Sequence, residues 1–231
     1  MNMASGDTHT VLRLADTKLV LGNVCATSVF NGRSLGDFAT LLAITGTSLG
    51  ATRALYRWLE SQGESYARLE RGRGPEAIAS MDVMDAPPES WADLMITVFV
   101  TEAATSAVAG RLANHADRLL ANQASMVSRD SAFHMAYCIG WLKVIAEHEM
   151  ESLRAAMEMR LPLALRWVEQ SDMSAREAFL EACAPLAGLA SRPLPGAAPR
   201  PQQWDTRLAR PQALPEGLWN IVRFKDAELL A

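Results

Sequence analysis

Apolar residues recur along this 231-residue chain at the three-to-four-residue spacing of amphipathic helices, and the strict alternation of a half-buried strand is almost absent. A first helix is predicted from Val11 to about Val29, carrying Val11, Leu12, Leu14, Leu19, Leu21 and Val24 and stopping at Asn31-Gly32. A second starts at Ser34, an N-cap with Asp37 three positions on, and runs to about Ser61 through Phe38, Leu41, Leu42, Leu49, Leu55 and Trp58. Gly63 and the cluster Arg71-Gly72-Arg73-Gly74-Pro75 break it. The link that follows, closed by Pro87-Pro88, is long for a compact domain. In a four-helix bundle such a link carries the chain from one end to the other, so that the helices flanking it run parallel.

The third helix is predicted from Glu89 to about Asn122. Its segment Leu94 to Val100 is apolar nearly all round, the mark of a central or covered helix. Helices from Gln123 to Ile145, Glu147 to Val168, and Ser174 (an N-cap) to Ala187 complete an all-α chain. After Ser191 the pattern ends: six of the 11 prolines lie between Pro193 and Pro215, which sustains neither helix nor sheet. The expected organisation is a helical domain over 1–190 and an extended or disordered proline-rich arm over 191–231. The arm ends in the apolar cluster Leu218-Trp219-Asn220-Ile221-Val222-Arg223-Phe224. Two readings of it stay open: it covers its own bundle, or it grips a partner through large apolar anchors.

Composition narrows the function classes. With 49% hydrophobic and 21% charged residues the chain can bury a substantial core. A net charge of −4 lacks the excess of Lys and Arg that a phosphate-tracking surface needs, which argues against a nucleic-acid partner. Met1 to Asp16 is polar and unlike a signal peptide, and the apolar runs are short for a bilayer, so no membrane partner and a cytoplasmic location are expected. Cys25, Cys138 and Cys183 have no Cys-x-x-Cys spacing and sit in apolar stretches, as reduced thiols packed in a core do. The two Gly-x-Ser-x-Gly matches, Gly32 to Gly36 and Gly46 to Gly50, lie at the start of and within the second predicted helix with no strand before them, so neither is a nucleophile elbow, and there is no phosphate-cradling glycine motif. Arg68, Arg71 and Arg73 could meet a phosphate, but a solvated loop is the simpler reading, and Asp16, Asp37 and Arg129 read as surface or capping residues. His9 falls in a polar leader, His115 in a solvated stretch and His148 at a charged helix junction.

Four segments together resemble a known family. Ala15-Asp16-Thr17-Lys18-Leu19-Val20-Leu21-Gly22, Arg53-Ala54-Leu55-Tyr56, Phe133-His134 with Gly140-Trp141, and Leu161-Pro162-Leu163-Ala164-Leu165-Arg166-Trp167 occur in the order expected of the phenylacetyl-CoA epoxidase subunits. The resemblance covers roughly residues 11 to 170. It implies a ferritin-like four-helix bundle core with additional C-terminal helices and the extended tail. It also implies a place in a bacterial multicomponent oxygenase whose catalytic subunit carries a carboxylate-bridged di-iron centre.

Such a centre takes a Glu from each of two helices and a Glu-x-x-His from each of the other two, because the i to i+3 spacing puts both ligands on one inward face. By the resemblance, the first carboxylate falls near Thr27, the first Glu-x-x-His on Ser48 and Ala51, the third helix's carboxylate on Glu102, and the second Glu-x-x-His on Ser131 and His134. Only Glu102 and His134 can still ligate iron, and Asp130 points about 100° away from Ser131 on an ideal helix. The expectation is a metal-free accessory subunit, a pseudoenzyme with no cofactor of its own, that stabilises a catalytic ferritin-like paralogue holding the di-iron. Its contacts are expected through Trp91, Met95, Trp141 and Trp219. Two alternatives stand beside it: a divergent oxygenase using the bundle cavity with one metal completed by Cys25, Cys138 or Asp130, and a homodimeric binder of an aromatic or acyl-CoA ligand. Without metal, Glu102 and His134 are expected to pair with each other or with water.

Overall fold

The computed structural model describes residues 3–223. Ser34 opens α2 (Leu35–Ser61) as a reciprocal cap: its hydroxyl accepts from Asp37 N at 3.2 Å and donates to Asp37 Oδ2 at 2.9 Å. Upstream, α1 (Met3–Ser28) turns through a single 3-10 turn, Val29–Asn31, into α2 and packs along it as an antiparallel hairpin. Thr52 Oγ1 reaches Ala15 O at 3.1 Å, and Leu49 lies so close to Gly22 that a Cβ there would meet it at 3.0 Å. Gly63, at φ 100°, lets the chain leave α2 in a left-handed turn that only glycine enters freely.

A short helix, α3 (Tyr66–Arg71), and two 3-10 turns then cross the bundle to α4 (Trp91–Leu112), capped by Ser90 and Asp93. α5 (Arg118–His148) returns along α4 and starts at Asp117, whose Oδ1 accepts from Leu119 N at 2.8 Å and from Leu120 N at 3.3 Å. Asp7 meets His115 and Lys18 meets Glu102, so α1 and α4 are antiparallel. α2 and α4 therefore run parallel across the long connection, which is the ferritin-like arrangement. The described residues contain no strand, only an isolated bridge between Asp205 and Arg210.

α4 is the centre. Almost every residue from Trp91 to Leu112 is buried, because α1 and α5 cover one side and α6 (Met150–Ser171) and α7 (Arg176–Ala190) the other. By length and composition it could cross a membrane, yet 94% of its apolar window is buried within the protein. Each fully buried Val, Leu or Ile contributes about 1.5–3 kcal/mol of apolar transfer. The third and fourth helices divide at 113–117 and not at Asn122, since the Asp117 cap outranks the polar pair Asn122-Gln123, which lies within α5.

Four buried Arg–Asp pairs fix the crossing. Arg73 binds Asp16, Arg160 binds Asp93, Arg166 binds Asp82, and Arg210 binds Asp85. Every pair has one member between residues 73 and 93. The proline-rich arm is extended and lies on its own bundle. Arg13 donates to Gln170 O, Thr206 O and Arg207 O, Arg166 to Pro199 O, Ala198 N to Pro162 O, and Leu214 N to Pro75 O. α8 (Glu216–Val222) then packs on α1. Phe224, part of the predicted terminal cluster, lies outside the described residues.

Candidate functional site

Lys18 of α1, Thr47 of α2, Glu102 of α4, and Ser131 and His134 of α5 meet at one level of the bundle. Glu102 is wholly buried. Its Oε2 accepts from the Lys18 ammonium and from the Ser131 hydroxyl, and its Oε1 accepts from His134 Nδ1 at 2.8 Å. Lys18 Nζ also donates to Ser131 Oγ at 3.2 Å. On the far side of the ring, His134 Nε2 lies 3.1 Å from Thr47 Oγ1, which itself donates to Ala43 O at 2.9 Å. One hydrogen-bonded network thus joins all four helices of the core.

The electrostatics are those of a saturated ion pair. Burial alone pushes the Glu102 carboxyl up, but the Lys18 charge and the His134 hydrogen bond outweigh it and hold the group at about 2. Two buried thiols feel the same charge. Cys25 is raised by burial and then by Glu102, and Cys138 by burial, by Cys25 and by Glu102, so both stay protonated. Cys183 is pushed up to about 12 by burial alone. All three cysteines are free and buried. Among the described residues no three His, Cys, Asp or Glu side chains cluster so as to hold a metal ion.

The sequence profile of the phenylacetic acid catabolic proteins matches residues 3–184. The chain belongs to this family. No curated protein matches it. The match runs from α1 into α7, and the arm and α8 lie outside it. Family members are components of a phenylacetate-degradation oxygenase complex.

Of the positions carried over by resemblance, the structure brings Glu102, Ser131 and His134 together. Ser48 is buried beside Thr47 with no partner for its hydroxyl among the described residues, and Ala51 is half-buried against the apolar cluster at the other end of α1 and α2. Thr27 is the correction on α1: it is exposed near the helix end and bonds back to Asn23 O and Val24 O. The α1 residue that faces Glu102 is Lys18. It stands in the run Asp16-Thr17-Lys18, three consecutive polar residues that are all buried, though the sequence alone does not set them apart from the other polar residues of α1. Thr47 is no more marked in the sequence.

Other expectations change with burial. Asp16 is not a surface residue: it accepts two bonds from Arg73 and one each from Tyr56 OH and Ala79 N, all at 2.6–2.7 Å. Arg73 is correspondingly removed from the solvated arginine loop. Asp37 caps α2 as expected and in addition accepts from Tyr137 OH and Trp141 Nε1, both at 2.7 Å. Arg129 stays on the surface, 3.8 Å from Asp130. Trp91 and Met95 are buried, and Trp141 and Trp219 half-buried, because α4 is central and Asp37 holds the Trp141 ring inward. The exposed large hydrophobics among the described residues lie elsewhere: Phe30, Leu35 and Leu42 around the start of α2, Leu119, Met126, Phe133 and Val144 along α5, and Met159 and Met173 on and just after α6.

Proposed function

We propose that this chain is a metal-free structural subunit of the oxygenase complex, holding in place a relative that carries the di-iron. One observation carries the reading: the Lys18 ammonium is bound to the buried Glu102 carboxylate, so the one acid of the cluster already has its cation. The donor set does not fit two irons. Glu102 and His134 are one carboxylate and one imidazole, the hydroxyls of Ser48 and Ser131 bring no anionic charge, and a fixed positive charge in the same space repels a divalent ion. With Lys18 bound, Glu102 is charge-balanced and its accessible lone pairs are engaged, so no step of oxygen chemistry is assigned to this chain.

The cluster's role is then architectural. A buried carboxylate that receives bonds from three neighbouring side chains fixes the register of α1, α4 and α5, and His134 extends the same constraint to α2. The contact surface of the proposal is the outer face of α2 and α5. There Leu42, Met126, Phe133 and Val144 are between 45% and 70% exposed, and Leu35 more so.

The test is metal analysis of the full-length protein purified anaerobically with excess ferrous iron, alone and co-expressed with a family member that has both Glu-x-x-His pairs intact. The expected result is iron only in the relative and co-elution of the two chains. Two stoichiometric irons in this chain overturn the proposal.

A further inference from the structure

An open groove of about 880 Å³, away from the Glu102 cluster, lies between the α1–α2 hairpin, the crossing segment and α8. Its size is that of a small-molecule site. Residues far apart in sequence build it: Leu19 and Leu49 from the hairpin, Ile78 from the crossing, and Trp219 and Val222 from α8. The α8 wall is held there by Leu214 N donating to Pro75 O at 3.0 Å and by the buried Arg210–Asp85 pair just upstream. Trp219 is half-buried, so one part of its ring is anchored while the rest borders the groove.

The charge around this apolar lining is one-sided. Arg53, Arg71 and Arg223 border the groove and are exposed. A fourth guanidinium, Arg73, is neutralised by Asp16. The one acid in the lining, Glu70, lies 3.5 Å from Arg71 and also accepts from Tyr66 OH. Neither Arg53 nor Arg223 has an ion pair among the described residues. Two guanidiniums without an ion pair among the described residues, beside a wall of Trp, Leu and Ile, match a molecule with an anionic head and an apolar body.

We propose that this groove binds an amphipathic anion, a carboxylate or phosphate ester on an aliphatic or aromatic body, with the head at Arg53 and Arg223 and the body on Trp219. The site stands whether or not the chain is metal-free, since it shares no residue with the Glu102 cluster. Such a ligand would join α2 to α8, and so tie the C-terminal segment to the bundle in a ligand-dependent way.

The experiment is calorimetric titration of the full-length protein with octanoate, octyl phosphate and octanol, the first two separating carboxylate from phosphate and the third removing the charge. Saturable binding of at least one anion, and weaker binding of octanol, is expected. The double substitution Arg53→Gln with Arg223→Gln lies on exposed positions and should weaken the anion roughly tenfold or more, the scale of one lost charge-assisted contact, while leaving octanol unchanged. Trp219→Ala should weaken all three, with melting curves confirming that each variant is folded. Octanol binding as tightly as both anions, arginine variants binding like the parent, or no saturable binding of either anion each overturns the proposal.

Discussion

Glu102 shows how one residue can be legible in the sequence while its partner is not. A carboxylate in the middle of an apolar helix is conspicuous, and so is a histidine one helix away. Lys18 was hidden, because a lysine on an amphipathic helix is ordinarily read as surface, and only its three-dimensional position opposite Glu102 gives it meaning. The pair makes the acid stability of the protein predictable. Glu102 is held at about 2 against an ordinary value of 4.5, so the stabilisation it confers is fully present above that ordinary value. It is lost as pH falls from about 4.5 toward 2, when the unfolded chain takes up the proton first. Asp85 works in the opposite sense: burial lifts it to about 6 despite Arg210, so its contribution favours the folded state as pH falls from 6 to 3.8. Chemical denaturation followed across pH should therefore show a stability maximum near the ordinary carboxylate range, and Glu102→Gln should flatten the acid limb. A second prediction follows for Lys18→Met. It strands a buried carboxylate, which costs about 3–5 kcal/mol near neutral pH, and the double variant Lys18→Met with Glu102→Gln should recover a large part of that loss. Additive losses in the cycle would show that the two side chains do not interact.

At the scale of elements, amphipathic period located α2 and its Ser34 cap to the residue, and located α4 as the buried helix. The α4–α5 boundary differs from the periodic reading because α4 ends at Leu112 and Asp117 starts α5 with no Gly or Pro between them. α3 was missed because six residues are too few for a periodic signal. The crossing segment was visible only as a long link. Its rigidity comes from arginines distant in sequence, which no local pattern announces. Arg160 is the clearest case: 1% exposed, it binds both oxygens of Asp93 and donates to Val83 O and Ala86 O. Arg160→Ala is expected to cost about 3–5 kcal/mol by urea unfolding, because it leaves Asp93 charged, buried and without its cation. The exposed pair Arg192–Glu158 is the control, and Arg192→Ala should leave the unfolding midpoint unchanged. On α5, Phe133 projects outward while its neighbour His134 faces the core, so Phe133→Asp should leave the melting curve of the isolated chain unchanged and abolish co-elution with the metal-bearing relative. Retained co-elution would remove the α2–α5 face from the proposed contact.

The whole molecule is a bundle closed by an arm that has almost no regular structure of its own. From sequence, six prolines and a loss of periodicity predict that the stretch from Pro193 to Pro215 is neither helix nor sheet; the structure has one isolated bridge there, Asp205 to Arg210, and a helix, α8, directly after it. Whether such a segment is free or fixed depends on what receives its carbonyls, and the donors sit far upstream. Arg13 is the principal one, buried in α1 with its guanidinium directed at Gln170 O on α6 and at Thr206 O and Arg207 O in the arm, at 2.6–3.1 Å. Proteolysis requires a stretch of backbone to leave the surface and extend into the protease, so the rate of cutting reports the local opening of that stretch and not global unfolding. Arg207 is exposed as a side chain, yet its carbonyl, the atom of the bond that trypsin would cut, is held by Arg13 from beneath. Arg13→Gln should therefore accelerate tryptic cleavage after Arg207 severalfold while cleavage after Arg192, which Arg13 does not touch, keeps its rate. Mass spectrometry of a timed digest separates the two sites. Equal acceleration at both would mean that Arg13 stabilises the bundle generally, and no change at either would mean that the arm is fixed by Arg166 and Arg210 without it.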